Sequence, residues 1–413
     1  MDQPLRFGKY SLLDRISSGG MAEVFRARTQ DGKLYAVKRI LPSLAEDESF
    51  IKMFVQEARI SGQLVHPNIA RIYELGRVDG THFMAMEYVW GKDLTQIRNR
   101  LHKLGRKMPL GIACAMMCQA LDGLDYAHKK RDGFSRALDV VHRDCSPHNM
   151  LVAYSGDVKI IDFGIAKAKS SIVKTVGVLK GKFAYMSPEQ TTGKSIDRRS
   201  DIFSTGIVLY EILTSQRLFV GDSDFAVLER VRTADIRPIT EAMPDLPADV
   251  AKVAMTALAA DREKRYQWAS DMRADLERVV GVASRGELSA WVCELFADDI
   301  ANEREDIGLD IQNVGKTVEL EPEIEVMIDN SAPLELVDLD EPPPQQADAP
   351  HAIGDDVDEV ELGAEPLLDM PPDDDEPAPP PPPSRPPPTG FEEDEKTAVK
   401  SLELVDPPWL RPR

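Results

Sequence analysis

The chain has 413 residues and a net charge of −20, unevenly spread: of 70 acidic and 50 basic side chains, 30 and 6 lie in residues 305–413. The first 304 residues carry 44 basic and 40 acidic side chains, so no basic stripe speaks for a nucleic-acid partner. Cys114, Cys118, Cys145 and Cys293 show no paired spacing, no apolar N-terminal stretch reads as a signal peptide, and no run of about 18 apolar residues is present to span a membrane; a soluble protein of a reducing, cytoplasmic setting is expected.

Residues 7–90 read as strands, with short alternating runs such as Lys33-Leu34-Tyr35-Ala36-Val37-Lys38 and His82-Phe83-Met84-Ala85-Met86-Glu87-Tyr88 broken by Gly, Asp and Asn. Within them, residues 49–64 place Ile51, Phe54, Val55, Ala58 and Leu64 at helical spacing, which gives a small sheet carrying one helix. From Leu94 onward the periodicity is predominantly helical, with amphipathic segments at 110–130, 198–214, 223–233, 247–259 and 268–280. Cys114 and Cys118 sit four apart in an apolar helical run and are assigned to the core. The chain therefore divides into a β-rich lobe (7–90), an α-rich lobe (91–282), a short helical extension (283–304) and a tail (305–413). The tail holds 21 of the 30 prolines among dense acidic residues; it cannot bury enough apolar surface to offset its ordering entropy, and disorder is expected. Leu334-Glu335-Leu336-Val337-Asp338 returns as Leu402-Glu403-Leu404-Val405-Asp406, and Lys316-Thr317-Val318 returns loosely as Lys396-Thr397-Ala398-Val399. Low-complexity drift and a pair of docking or phosphorylation motifs both fit these repeats.

The most specific stretch is His142-Arg143-Asp144-Cys145-Ser146-Pro147-His148-Asn149, followed thirteen residues after Asn149 by Asp162-Phe163-Gly164. A carboxylate, an amide five residues later and a second carboxylate are the groups that would hold metal ions and an attacking hydroxyl. Phosphoryl transfer needs little covalent help from a protein; it needs in-line positioning and cations that neutralise charge on the transferred group. At these spacings the pattern resembles the protein kinase family, and residues 7–280 look like a bacterial soluble Ser/Thr member. The resemblance implies an α+β, bilobal protein kinase fold, with a β-rich N-lobe, an α-helical C-lobe and the acidic Pro-rich tail beyond.

By that resemblance Asp144 accepts or orients the proton of the substrate hydroxyl, while Asn149 and Asp162 ligate Mg²⁺ (or Mn²⁺) on the phosphates of ATP. One amide and one carboxylate suit a hard cation that takes few protein ligands. Ile16-Ser17-Ser18-Gly19-Gly20-Met21-Ala22-Glu23-Val24 is similar to the glycine-rich loop over the ATP phosphates; only the middle glycine of the three is kept, as Gly19, with Ser17 and Ala22 at the others. Fourteen residues after Val24 stands Lys38, ending Tyr35-Ala36-Val37-Lys38, and nineteen residues further stands Glu57; the family pairs these two to steer the lysine to the α- and β-phosphates. Met86 takes the back of the nucleotide pocket, the backbone of Glu87 and Val89 the adenine edge, and Val24, Ala36 and Leu151 the adenine faces. The same apolar residues fit a core role equally. Met186-Ser187-Pro188-Glu189 matches the family's substrate-segment element, Asp201-Ile202-Phe203-Ser204-Thr205-Gly206 the helix start that braces the catalytic loop, and Arg265 is placed to pair with Glu189.

Two departures stand out. Ser146 replaces the lysine usual two residues after the catalytic aspartate, and Lys182 replaces the usual threonine in Gly181-Lys182-Phe183-Ala184-Tyr185. Either Lys182 supplies the γ-phosphate charge and Ser146 the hydroxyl, or the site is one cation short. By the same resemblance Arg143 implies a phosphate-ordered activation segment, with Thr175 the first candidate acceptor and Ser170 and Ser171 the others. The basic stretch 129–140 reads as a solvated loop that can also dock an acidic partner or the tail. The expected activity is ATP-dependent transfer to Ser and Thr of protein substrates, with self-association for autophosphorylation. A pseudokinase scaffold and a small-molecule phosphotransferase are the competing readings.

Overall fold

The computed structural model describes residues 5–163, 183–279 and 281–307, all within the first of the chain's two units, Met1–Pro343. Six strands open the chain: β1 (Leu5–Phe7), β2 (Tyr10–Ser18), β3 (Ala22–Arg28), β4 (Leu34–Ile40), β5 (Ile72–Val78) and β6 (Thr81–Glu87). They form one antiparallel sheet in the order β1-β2-β3-β4-β6-β5. Successive side chains point to opposite faces, so β4 sends Val37 to one small core with Tyr10, Leu12 and Phe83, and Ala36 to another with Met84 and Met86. Helix α1 (Glu48–Gly62) closes the second core. Asp47 caps its start by accepting from the N–H groups of Ser49 (2.9 Å) and Phe50 (3.2 Å), and Phe54, Ala58 and Ser61 form its buried stripe.

After β6 the chain crosses to the second lobe through residues 88–90 and β7 (Gly91–Asp93), which pairs with β8 (Met150–Ala153); β8 in turn pairs with β9 (Val158–Ile160). Gly91 is required here: a Cβ would stand 2.1 Å from the Val152 carbonyl oxygen, and β7 could not then approach β8. This three-stranded sheet escaped the sequence reading because its strands are three or four residues long, with β7 just before and β8 and β9 within the region of helical periodicity. The helices are α2 (Leu94–Lys103), α3 (Leu110–His128), α4 (Pro188–Thr191), α5 (Arg198–Thr214), α6 (Asp224–Thr233), α7 (Ile239–Ala242), α8 (Ala248–Ala257), α9 (Ala269–Val279), α10 (Arg285–Leu295) and α11 (Ala297–Ile307). Both α3 and α5 are buried nearly all round, which marks them as the axis of the lobe. Cys114 and Cys118 lie in that core, and burial pushes the Cys114 thiol up to about 11. The stretch before His142 is a loop in which Arg131 and Ala137 form an isolated bridge and Phe134 is exposed. Among the described residues no helix is long and apolar enough to cross a membrane. Helix α11 runs to Ile307, three residues into the expected tail; residues 308–413, with the repeats, Thr317 and Thr397, lie outside the described residues.

Candidate active site

Lys38 sits in mid-sheet, opposite Val24 on β3 and Met84 on β6. Its Nζ donates to Glu57 Oε1 at 3.1 Å and to Asp162 Oδ1 at 2.8 Å, three residues brought together across 124 positions of sequence. Glu57 reaches Lys38 because α1 packs on the sheet through Phe54 and Ala58, one turn before and one residue after it. Burial works against the ammonium charge, but Asp162 and then Glu57 outweigh it, so the Lys38 pKa is raised and the side chain stays protonated.

The loop 142–149 is held from below by α5. Asp201, fully buried, accepts from the backbone N–H of His142 (2.8 Å) and of Arg143 (2.8 Å) and lies 2.8 Å from His128 Nε2. Burial by itself would raise the Asp201 pKa; His128 and these N–H groups overcome it and hold the carboxyl below its ordinary range. Arg143 adopts φ 64° and Asp162 φ 55°, conformations costly for L residues outside such a frame. His142 accepts from the Asp144 N–H through Nδ1 (3.2 Å), and its Nε2 faces the Ile161 carbonyl at 3.0 Å, which requires the proton on Nε2. The ring also meets Phe163 at 4.6 Å between centroids.

Asn149 donates through Nδ2 to the Asp144 carbonyl (2.8 Å) and to Asp144 Oδ2 (3.0 Å). With its NH₂ so committed, the amide oxygen is the end left for a cation, and Asp162 is the carboxylate of the same neighbourhood. This donor set, one amide oxygen and one carboxylate, fits Mg²⁺ completed by phosphate oxygens. Among the described residues no cluster of three or more His, Cys, Asp or Glu offers a self-sufficient metal site.

Ile16, Ser17 and Ser18 end β2, Gly19, Gly20 and Met21 form the turn, and Ala22, Glu23 and Val24 begin β3; Ser17 pairs with Val24. The turn is closed by Gly19 N–H donating to the Ala22 carbonyl at 2.9 Å. Ala36 lies opposite Met86 on the sheet, whereas Leu151 comes from β8 of the other lobe. Behind Met86 is a cavity of about 20 Å³ lined by Glu57, Met84, Ile160, Asp162 and Phe163 among others. Glu87 commits its N–H to the Arg71 carbonyl (2.8 Å) and its carboxylate to Lys159 (2.7 Å), so its carbonyl is what it can offer a ligand. A larger open concavity of about 500 Å³, lined by His66, Asp122, Tyr126 and Lys130 among others, holds none of the expected site residues.

Ser187 is a buried helix cap: its Oγ accepts from the Gln190 N–H at 3.4 Å while Gln190 Oε1 accepts from the Ser187 N–H at 2.8 Å. Gln190 also donates to the Arg143 carbonyl at 3.0 Å, tying the segment to the loop 142–149. Arg265 grips Glu189 with two N–H groups, at 2.7 and 3.0 Å. Sequence reasoning missed the fully buried Glu211, which receives Arg98 (2.6 Å), Tyr185 (2.8 Å) and the Leu218 N–H (3.2 Å). An apolar helix interrupted by one glutamate was the available signal, but nothing in the sequence points to its partners. Lys182, Thr175, Ser170, Ser171 and Gly164 lie outside the described residues.

A lysine on a small antiparallel sheet, paired with carboxylates from a helix and from beyond a loop pinned through its backbone, defines a two-lobed α+β fold with its candidate site between sheet and helices. The chain belongs to the protein kinase family: residues 10–275 match the model described as protein kinase domain. It is 39% identical over 310 residues to the tyrosine-protein kinase MasK of Myxococcus xanthus, covering 72% of this chain and 48% of that one. It is 37% identical over 282 residues to the serine/threonine-protein kinase PknB of Mycobacterium tuberculosis, covering 66% and 43%. This chain therefore spans about half or less of the length of these curated relatives. In fold it is similar to the PknI kinase domain of Mycobacterium tuberculosis, with TM-score 0.51 and 23% identity over 67% of this chain and 98% of that one. Members of this family use ATP and a divalent metal.

Proposed function

We propose that this chain transfers the γ-phosphate of ATP to Ser and Thr hydroxyls of proteins, its own activation segment included. The observation that carries the reading is Lys38 held between Glu57 and Asp162, an arrangement that aims one cation at the phosphates beside the metal-ligating carboxylate. Asp144, whose neighbour Asn149 fixes it in the loop, orients the acceptor hydroxyl and takes its proton. Asn149 and Asp162 hold Mg²⁺, which when bound neutralises charge on the terminal phosphates. Val24 and Ala36 from above and Leu151 from below receive the adenine, with the Glu87 carbonyl and the Val89 backbone along its edge. A catalytically silent scaffold finds no support, because Lys38, Glu57, Asp144, Asn149 and Asp162 are all present and the pairings Lys38–Glu57, Lys38–Asp162 and Asp144–Asn149 are formed. Purified protein given Mg²⁺ and γ-labelled ATP should place label on protein Ser or Thr, and Asp144→Asn should abolish it; equal labelling by the variant overturns the assignment.

The similarity to a protein named as a tyrosine kinase favours one second reading, in which tyrosine is also an acceptor. Phosphoamino-acid analysis of the same labelled product separates the two: phosphotyrosine beside phosphoserine or phosphothreonine selects the second, and its absence the first.

Lys182 supplies the γ-phosphate charge that Ser146 lacks. Ser146 is 6% exposed, in the loop between Asp144 and Asn149. Lys182→Thr should lower kcat/KM by about 10–100-fold, a loss of one charged contact to the transition state, and adding Ser146→Lys should recover much of it. A double variant no better than Lys182→Thr rules the exchange out.

A further inference from the structure

Helices α10 and α11 follow the last residue of the family match and are docked onto the second lobe beside residues 88–90, the hinge by which the chain crosses between the lobes. Leu288, Val292, Leu295, Phe296 and Ile300 are buried along them. The α10 start approaches the β8–β9 turn so closely that a Cβ at Gly156 would stand 2.2 Å from the Arg285 carbonyl oxygen, and Gly156 takes φ +84° there. Ser289 Oγ donates to the Tyr154 carbonyl at 2.7 Å, and Arg100 Nε donates to the Leu295 carbonyl at 3.2 Å.

The most consequential contact lies further along α11. Glu303 accepts from Trp90 Nε1 through Oε2 at 2.8 Å and from Lys92 Nζ through Oε1 at 2.6 Å. Asp299 adds a second carboxylate 3.5 Å from Lys92, whose side chain is only 12% exposed. The Trp90 ring stands edge-on to Tyr154 at 5.2 Å, and the Tyr154 N–H donates to the Trp90 carbonyl at 3.0 Å. Trp90 and Lys92 are one and three residues beyond Val89. A carboxylate that pins both fixes the direction in which the hinge backbone leaves the nucleotide edge. A largely buried ammonium is held in place by the carboxylates that face it, of which Glu303 is the nearer, so the contact is a specific one.

We infer that α11 is a strap on the hinge and that Glu303 is a positioning residue for nucleotide binding, acting through Trp90 and Lys92. The inference rests on the proposed role of residues 87–89 as the adenine-binding backbone, and it adds a determinant outside residues 10–275, the stretch matched to the family. Pre-organised backbone groups bind without an ordering cost, so loosening them weakens affinity while leaving the chemical step alone.

The test measures Mg²⁺–ATP affinity by calorimetry, and KM and kcat, on full-length protein carrying Glu303→Ala, Glu303→Gln or Glu294→Ala. Glu294 pairs with Arg106 at 3.0 Å on the same extension but touches neither Trp90 nor Lys92, so its loss reports a merely structural effect. Glu303→Ala should raise KM for ATP and Kd by about 3–10-fold with kcat within about two-fold, which is the signature of lost ground-state binding. Glu303→Gln, which keeps an acceptor for Trp90, should fall between, and Glu294→Ala should match the wild type. Unchanged affinity in Glu303→Ala, or an equal loss in Glu294→Ala, overturns the inference while the kinase reading stands. A wild-type protein that takes up no nucleotide overturns both.

Discussion

Lys38 meets two carboxylates at once, and its neighbours show why a lysine is needed rather than any polar residue. Remove its charge and Glu57 and Asp162, with side-chain exposures of 14% and 34%, face each other across a site that must also admit a triphosphate. Lys38→Met should leave the fold intact and lower kcat by about 10²–10³-fold, the usual cost of one preorganised electrostatic group; steady-state kinetics beside a circular-dichroism melt checks both halves. Because its pKa is raised, Lys38 stays charged through neutral and mildly alkaline pH, so loss of activity there is not assigned to its deprotonation. At this scale Lys38, Glu57 and Asp162 were named through the family resemblance, and the structure brings the three side chains together. The direct Lys38–Asp162 bond was not foreseen, because a motif names participants and not their distances.

Among the elements, α4, α5 and the loop before α9 form a bracket under the active site. Glu189 accepts from Ser200 Oγ at 2.6 Å as well as from Arg265, and Arg265 also reaches the Ala259 and Ala260 carbonyls at 2.7 and 3.1 Å. Arg265 is 3% exposed and Glu189 7%, so removing the guanidinium strands a carboxylate in the core. Arg265→Met should destabilise the protein by about 3–5 kcal/mol, the cost of breaking rather than replacing a buried pair. Restoring neutrality with Glu189→Gln in the same chain should recover part of that loss, as read from denaturant midpoints. The sequence pattern located α3, α5, α6, α8 and α9 to within two residues, since long apolar periodicity is a strong signal. It overlooked β7, β8 and β9 because strands of three or four residues are decided by their neighbours.

Across the whole molecule, buried carboxylates tie stability to pH. Burial alone would raise the pKa of Glu189, yet Arg265 and Ser200 hold it below its ordinary 4.5, and Asp201 is likewise held below its ordinary 3.8. A depressed carboxyl stabilises the fold at every pH above its unfolded value, and that contribution is lost as pH falls through the folded value. The melting temperature should therefore be insensitive to these two groups from neutrality down to about pH 5 and drop below about pH 4. Glu189→Gln should flatten that acid limb, since it removes one of the linked protons; an unchanged slope would show that other groups govern it.

The sequence by itself determined the family and the two lobes, and it named candidates for the base, the lysine and the metal ligands, because each depends on residue type and order along the chain. Only the tertiary structure decided what surrounds them: Asp201 beneath the catalytic loop, Glu211 among Arg98, Tyr185 and Leu218, and Glu303 on Trp90 and Lys92 across more than 200 positions. Such pairings leave no periodic trace, since a buried charge and its partner are matched by where helices pack and not by how far apart they stand in sequence.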